Sequence, residues 1–400
     1  MSHIAPGALS AESVSLPMGH PLRRLPVLGM AAAVIGIGLC GVFGPAHPAR
    51  FYAAWLCAFL FFLTLALGAL YFLLIHYATQ AGWSVVLRRV AENLAATLPV
   101  FALLFIPVVI GLPALFPWAR ADAAADHLLA WKEPFLNRSF FLLRAAIYLV
   151  AWSAIAVGYA RASRSQDATG DVRTSMRLRR FAPPAILVLA LTQTFAAIYW
   201  IMSLSPKWYS TVFGVYVFAG CYMGFWAFMA IVATMLRRGP LQDVITVDHL
   251  HDVGRLMFAF VCFWAYIAFS QYFLIWYGNI PEETFWYHAR MQGAWRGVSL
   301  FLAAGHFVIP FLFLMGRTVK RQGPWLVIGA LWMLGMHLLD VMWMVLPSVG
   351  QGMFHPALWA GSLLAVGGVV TAVFGRLLQG RPLVPIKDPR LAESLALDNA

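Results

Sequence analysis

FYAAWLCAFLFFLTLALGALYFLLIHYA, residues 51–78, runs for 28 residues without an Asp, Glu, Lys or Arg. At about 1.5 Å rise per residue, a helix of that length exceeds the roughly 30 Å hydrocarbon core of a bilayer. The rest of the chain repeats the pattern. Its 400 residues are 62% hydrophobic and only 11% charged, with a mean hydropathy of +0.76. A water-soluble core cannot absorb that composition, and repeated long apolar runs mean transmembrane helices.

Ten spans are expected. The first five cover about 26–45, 52–78, 98–117, 138–160 and 183–204; the others cover about 209–236, 255–278, 295–316, 323–346 and 356–378. The connections are short, so the expected fold is an all-α integral membrane protein with one membrane domain, 26–379. A polar N-terminal segment, 1–25, precedes it and a polar tail, 380–400, follows. The N-terminal segment is Pro-rich and reaches its first apolar run too late for a signal peptide.

The formal net charge is +12. In a soluble protein such an excess would suggest nucleic acid; here it is distributed by topology. Twenty Lys and Arg fall on one side of the spans, side A, including six between Arg161 and Arg180. The remaining eight, among them Arg50, Lys132, Lys207 and Arg290, fall on side B. This bias makes side A cytoplasmic and places both termini there. The stretch 161–180 reads as a solvated basic loop. GWSVVLRRVAENLAATLP, 82–99, reads as an amphipathic segment lying on the cytoplasmic interface, with Pro99 opening the third span.

Cys40, Cys57, Cys221 and Cys262 all lie in apolar segments, with no CxxC or CxxCH spacing. No iron–sulfur, zinc or covalent haem site is expected in this chain. Pro99, Pro107, Pro113 and Pro310 interrupt spans, but no clear pair of broken helices repeats as it does in secondary transporters.

Ionisable residues at membrane depth are costly, and each is a functional candidate. His306 and His337 are expected at one depth, about 15 Å from side B, on adjacent antiparallel spans. Asp340 follows His337 by three residues on the same helix face, about 10 Å from side B. Gln271 lies at similar depth on the seventh span, with Tyr266 deeper, and Thr192, Gln193 and Thr194 fall near the midplane of the fifth. A proton track from side B to the bilayer centre is one reading. Quinone contact through His337, Asp340 and His306 is a second. Helix glue is a third, with the histidines bonding locally and Asp340 pairing with Arg290 or Arg296. Glu282 and Glu283 in NIPEET, 279–284, either capture protons and dock a partner, or cap a helix.

Four stretches carry a resemblance: FFLTLALGALYFLLIHYATQAGWSVVLRRVAE (61–92), FAFVCFWAYIAFSQYFLIWYGNIPEETFWYHAR (258–290), HFVIPFLFLMGRTVKR (306–321) and HLLDVMWMVLP (337–347). The chain resembles the ActF-type membrane subunit of bacterial alternative complex III, a quinol:electron-acceptor oxidoreductase, within the polysulfide-reductase membrane-anchor (NrfD-like) superfamily. The resemblance extends over nearly the whole chain outside its two ends. It implies two four-helix bundles flanked by one extra helix at each end. The implied partners are a homologous quinol-binding membrane subunit, an iron–sulfur subunit and multihaem cytochrome c subunits. Quinol, iron–sulfur clusters and haems c would then belong to those partners, and this subunit would carry no cofactor. The implied setting is the bacterial cytoplasmic membrane. The implied role is proton translocation, with His306, His337, Asp340, Gln271, Tyr266, Glu282 and Glu283 as candidates; a plain assembly scaffold is the remaining reading.

Overall fold

The computed structural model describes residues 9–350 and 352–398. Every regular element in that range is helical, and ten helical stretches among the described residues, the third being the broken run Val85–Ile110, are long and apolar enough to cross a membrane. We label the elements α1 (Leu25–Phe43), α2 (Pro48–Ala78), α3 (Val85–Ala95), α4 (Arg138–Thr169), α5 (Val172–Trp200) and α6 (Phe213–Arg237). They continue with α7 (Val247–Gly278), α8 (Pro281–Arg290), α9 (Ala294–Met315), α10 (Gly323–Val349), α11 (Pro356–Leu378) and α12 (Leu391–Leu395).

α2 and α6 lie side by side at the centre and are the most buried spans. Around α2 gather α3 with the segment after it, α4 and α5; around α6 gather α7 and α10, with α9 packed on those two. The result is two four-helix groups sharing the α2–α6 seam. α1 and α11 stand outside them and pack on each other, and α11 rests on α2. Glycine permits that pairing. A Cβ at Gly36 would lie 2.2 Å from the Ala365 nitrogen, and one at Gly368 would lie 2.5 Å from the Gly29 carbonyl oxygen. Small residues bring backbones together where lipid offers no hydrophobic drive for association.

Three expectations change. The third span is not one helix. Pro99, Pro107 and Pro113 divide 98–115 into short helical pieces, because each proline removes an N–H and blocks the preceding turn. The stretch 161–180 is not a loop. α4 runs to Thr169, Gly170 reverses the chain at φ +71°, and Asp171 caps α5 by accepting from the Arg173 N–H at 2.9 Å. The six arginines therefore ride on helix ends. Finally, α3 does not lie on an interface, since all eleven of its residues are buried.

Protein groups replace solvent on the polar face of α3. Arg88 pairs with Asp388 from the C-terminal tail, and Arg89 pairs with Glu92 and with Asp167 of α4. Arg164 donates to Asn93 at 2.8 Å. The tail is a clasp, its Leu383, Val384, Leu391 and Leu395 buried against the bundle. Ser394 accepts from the Val86 N–H and donates to the Trp83 carbonyl. The segment before α1 meets the segment after α11 where the Leu383 N–H donates to the Val14 carbonyl at 2.8 Å.

Candidate functional site

α10 buries His337 and Asp340 one turn apart, each 1% exposed. Both Asp340 oxygens are bound. Oδ1 accepts from the Tyr216 hydroxyl of α6, and Oδ2 accepts from the Trp264 indole N–H of α7 at 3.1 Å. Both donors are neutral. Neither Arg290 nor Arg296 pairs with it, and no cation lies within ion-pair distance of it among the described residues. The arginine partners offered for Asp340 do not pair with it; its bonds instead join α10 to α6 and α7.

His337 turns toward α2, where its Nε2 lies 2.8 Å from the Thr64 hydroxyl. Thr64 spends its proton on the Phe61 carbonyl at 2.7 Å, so it accepts from Nε2–H. That tautomer leaves Nδ1 as a bare lone pair, and no protein group donates to it. Room for the ring comes from two glycines one turn apart on α6. A Cβ at Gly220 would sit 3.2 Å from His337 Nδ1 and 4.0 Å from Asp340 Oδ2; one at Gly224 would sit 3.0 Å from His337 Cδ2. Gly220 thus adjoins both the free imidazole nitrogen and the carboxylate.

His306 occupies a π-helical segment, Ala303–Val308, inside α9. Pro310 accounts for it. An α-helical Pro310 would owe an N–H to the His306 carbonyl, which it lacks, and its ring would crowd that carbonyl. The helix widens instead, and Ile309 N–H bonds five residues back to Ala304. In that register Pro310 would owe a donor to Gly305, and the Trp332 indole supplies it at 2.7 Å. π segments of this kind recur at functional sites. The His306 side chain is fully buried, neither ring nitrogen has a protein partner, and its ring centre lies 3.8 Å from that of Trp264. Trp264 therefore touches His306 with its ring and Asp340 with its N–H.

The other candidates divide. Gln271 is buried in a separate network nearer side B, accepting from Ser210 at 2.9 Å and donating to the Tyr287 hydroxyl at 3.0 Å. Tyr266 is 67% exposed and points away from the Asp340 set. Glu282 and Glu283 sit in the first turn of α8, where a helix N-terminus favours negative charge; Glu282 is exposed and Glu283 half-buried. Gln193 joins α2 to α6 through Tyr71 and the Gly214 carbonyl, while Thr192 accepts from Trp152. These serve the other bundle.

Tyr216, Trp264 and Thr64 complete the site and were not anticipated. Among 13 Tyr and 16 Trp, no spacing marks the two aromatics. A second polar group, also unanticipated, surrounds α3. Tyr77 stacks under the Arg88 guanidinium at 4.5 Å, and His76 bonds Ser84 at 2.6 Å. Glu92 Oε1 is buried without a hydrogen-bond partner, although the carboxylate pairs with Arg89 through its other oxygen. A cavity of about 190 Å³ beside His76, Tyr77, Arg88 and Asp388 opens to side A.

A larger cavity, about 720 Å³, lies between α7 and α9 and reaches Tyr216, Trp264, Tyr287 and Arg290. Its rim carries exposed Tyr266, Phe269 and Leu300. Among the described residues, no group of three metal-binding side chains occurs. No family model and no curated protein matches the chain.

Proposed function

We propose that the chain is an integral membrane subunit of a quinol-oxidising respiratory complex of the alternative complex III type, and that it contributes a proton pathway and anchors partner subunits. It works in the bacterial cytoplasmic membrane with both termini in the cytoplasm. Its partners are a homologous quinol-binding membrane subunit, an iron–sulfur subunit and multihaem cytochrome c subunits, which hold the redox groups. The resemblance of residues 61–92, 258–290, 306–321 and 337–347 supports the assignment to that complex.

One observation carries the proton role. Asp340 is a buried carboxylate held only by neutral donors, beside the unpartnered Nδ1 of His337. Such a group can take up or release a proton without breaking an ion pair. Trp264 links it to His306, and Tyr216 links it toward the 720 Å³ cavity. Infrared difference spectra of the wild type should contain a carboxyl band that is missing in Asp340→Asn. Tagged chain purified in mild detergent should bring down a multihaem cytochrome and a second large membrane subunit; isolation as a lone polypeptide contradicts the assignment.

Quinone binding is the second reading, and the 720 Å³ cavity favours it. Tyr216 and Trp264 line that cavity while His337 does not, so a quinone there would meet Tyr216, Tyr287 and Arg290 first.

A further inference from the structure

Arg290 closes α8 and is 1% exposed. Its position follows from Pro347 in α10. That proline has no N–H for the Trp343 carbonyl four residues back, and Arg290 Nε fills the vacancy at 3.1 Å. Its Nη2 donates to the Met344 carbonyl at 2.8 Å and to Ser348 Oγ at 3.0 Å, and Nη1 donates to the Trp286 carbonyl at 2.9 Å. The Trp286 and Trp343 rings lie 3.2 and 5.1 Å from the guanidinium carbon. Every acceptor is neutral. The hydrogen bonds are nearly complete, but the positive charge has no counter-ion among the described residues.

The guanidinium also lines the cavity of about 720 Å³ between α7 and α9. That volume falls in the roughly 300–1,000 Å³ range of ligand pockets. Most of the lining is apolar, and the rim residues are exposed. The polar groups gather at the side-B end, where Arg290 keeps one Nη1–H without a partner. The Tyr287 hydroxyl there accepts from Gln271 and has no acceptor for its own proton among the described residues. An apolar crevice with an uncompensated cation at one end fits an amphiphile of opposite charge.

We propose that this crevice binds an anionic phospholipid of the side-B leaflet, with its phosphate against Arg290 and Tyr287 and an acyl chain along Ala265, Ala268 and Phe307. The inference rests on the crevice and Arg290 alone and is independent of any respiratory role. A quinone, being neutral, would leave the guanidinium uncompensated. A zwitterionic lipid would bring its own cation toward it.

The test is native mass spectrometry of delipidated full-length chain offered phosphatidylglycerol or phosphatidylcholine. Wild type should retain phosphatidylglycerol about tenfold over phosphatidylcholine, the scale of roughly one buried charge contact. Arg290→Gln should bring that ratio near one. Ala303→Trp, at an exposed lining position remote from the α8–α10 contacts, should fold normally and lose phosphatidylglycerol, which keeps the test decisive if Arg290→Gln fails to fold. Equal retention of the two lipids by wild type overturns the proposal. So does retention of phosphatidylglycerol by Ala303→Trp, or a co-extracted quinone in place of the phospholipid that Ala303→Trp removes.

Discussion

Replacing Asp388 by Ala unpairs Arg88 inside the side-A clasp. The two side chains are 3% and 4% exposed. Removing one partner of a buried ion pair costs about 3–5 kcal/mol, because it strands the other charge away from water. The Tyr77 ring already interacts with Arg88 in the wild type, so it cannot replace the lost carboxylate. The control is Arg255→Ala. Arg255 is 59% exposed and 3.2 Å from Asp252, and a surface pair of that kind contributes about 0–1 kcal/mol. Thermal unfolding in detergent should separate the two variants clearly, and Asp388→Ala should also speed proteolytic cleavage of residues 380–398. The double variant Arg88→Met/Asp388→Leu should recover most of the loss, because apolar replacement of a buried pair is often neutral. If Asp388→Ala melts like Arg255→Ala, or the double variant melts no higher than the single, the tail is not held by this pair.

Gly36→Leu should detach α1 from α11, since even its Cβ would meet backbone at 2.2 Å; overpacking of this kind costs about 1–3 kcal/mol or more, and a wild-type melting temperature would contradict the packing described. On side B, the Lys207 hydrogen bond holds the Asp126 carboxyl below the usual carboxylate range. A carboxyl lowered by folding adds stability above its unfolded value and loses it as pH falls through the folded value. The protection factors of amides in 127–132, the helix that Asp126 caps, with intrinsic rates divided out, should therefore fall on acidification in wild type and far less in Lys207→Ala; an equal fall in both would refute the coupling. Cysteine at 283 should react with an impermeant reagent outside intact cells while cysteine at 170 stays protected, and the reverse pattern would invert the proposed orientation.

Apolar run length alone made the ten crossings readable, and 51–78 is the plainest case. The ionisable residues of α9 and α10 stood out for the same reason: charge is rare in such runs. Their partners did not. Tyr216 and Trp264 become distinctive only when three helices bring them to one carboxylate. Pro310 was visible as an interruption, but the π segment around His306 depends on which carbonyls it strands and on Trp332 arriving from α10. α3 misled because amphipathic periodicity reports two faces without saying whether water or protein meets the polar one. Its partners, Asp167 and Asp388, lie 78 and 300 residues away from Arg89 and Arg88. Tyr266 was placed by depth alone, and depth does not give the direction around a helix axis.

Whether Asp340 carries protons is decided by the proton-to-electron ratio of the assembled complex in sealed vesicles. Asp340→Asn keeps the size of the side chain and an oxygen for Tyr216 or Trp264, but it cannot titrate. The expected variant complex assembles and oxidises quinol at near wild-type rate while releasing fewer protons per electron. An unchanged ratio in an assembled, active complex would contradict the proton role and leave Asp340 as a structural link between α6, α7 and α10.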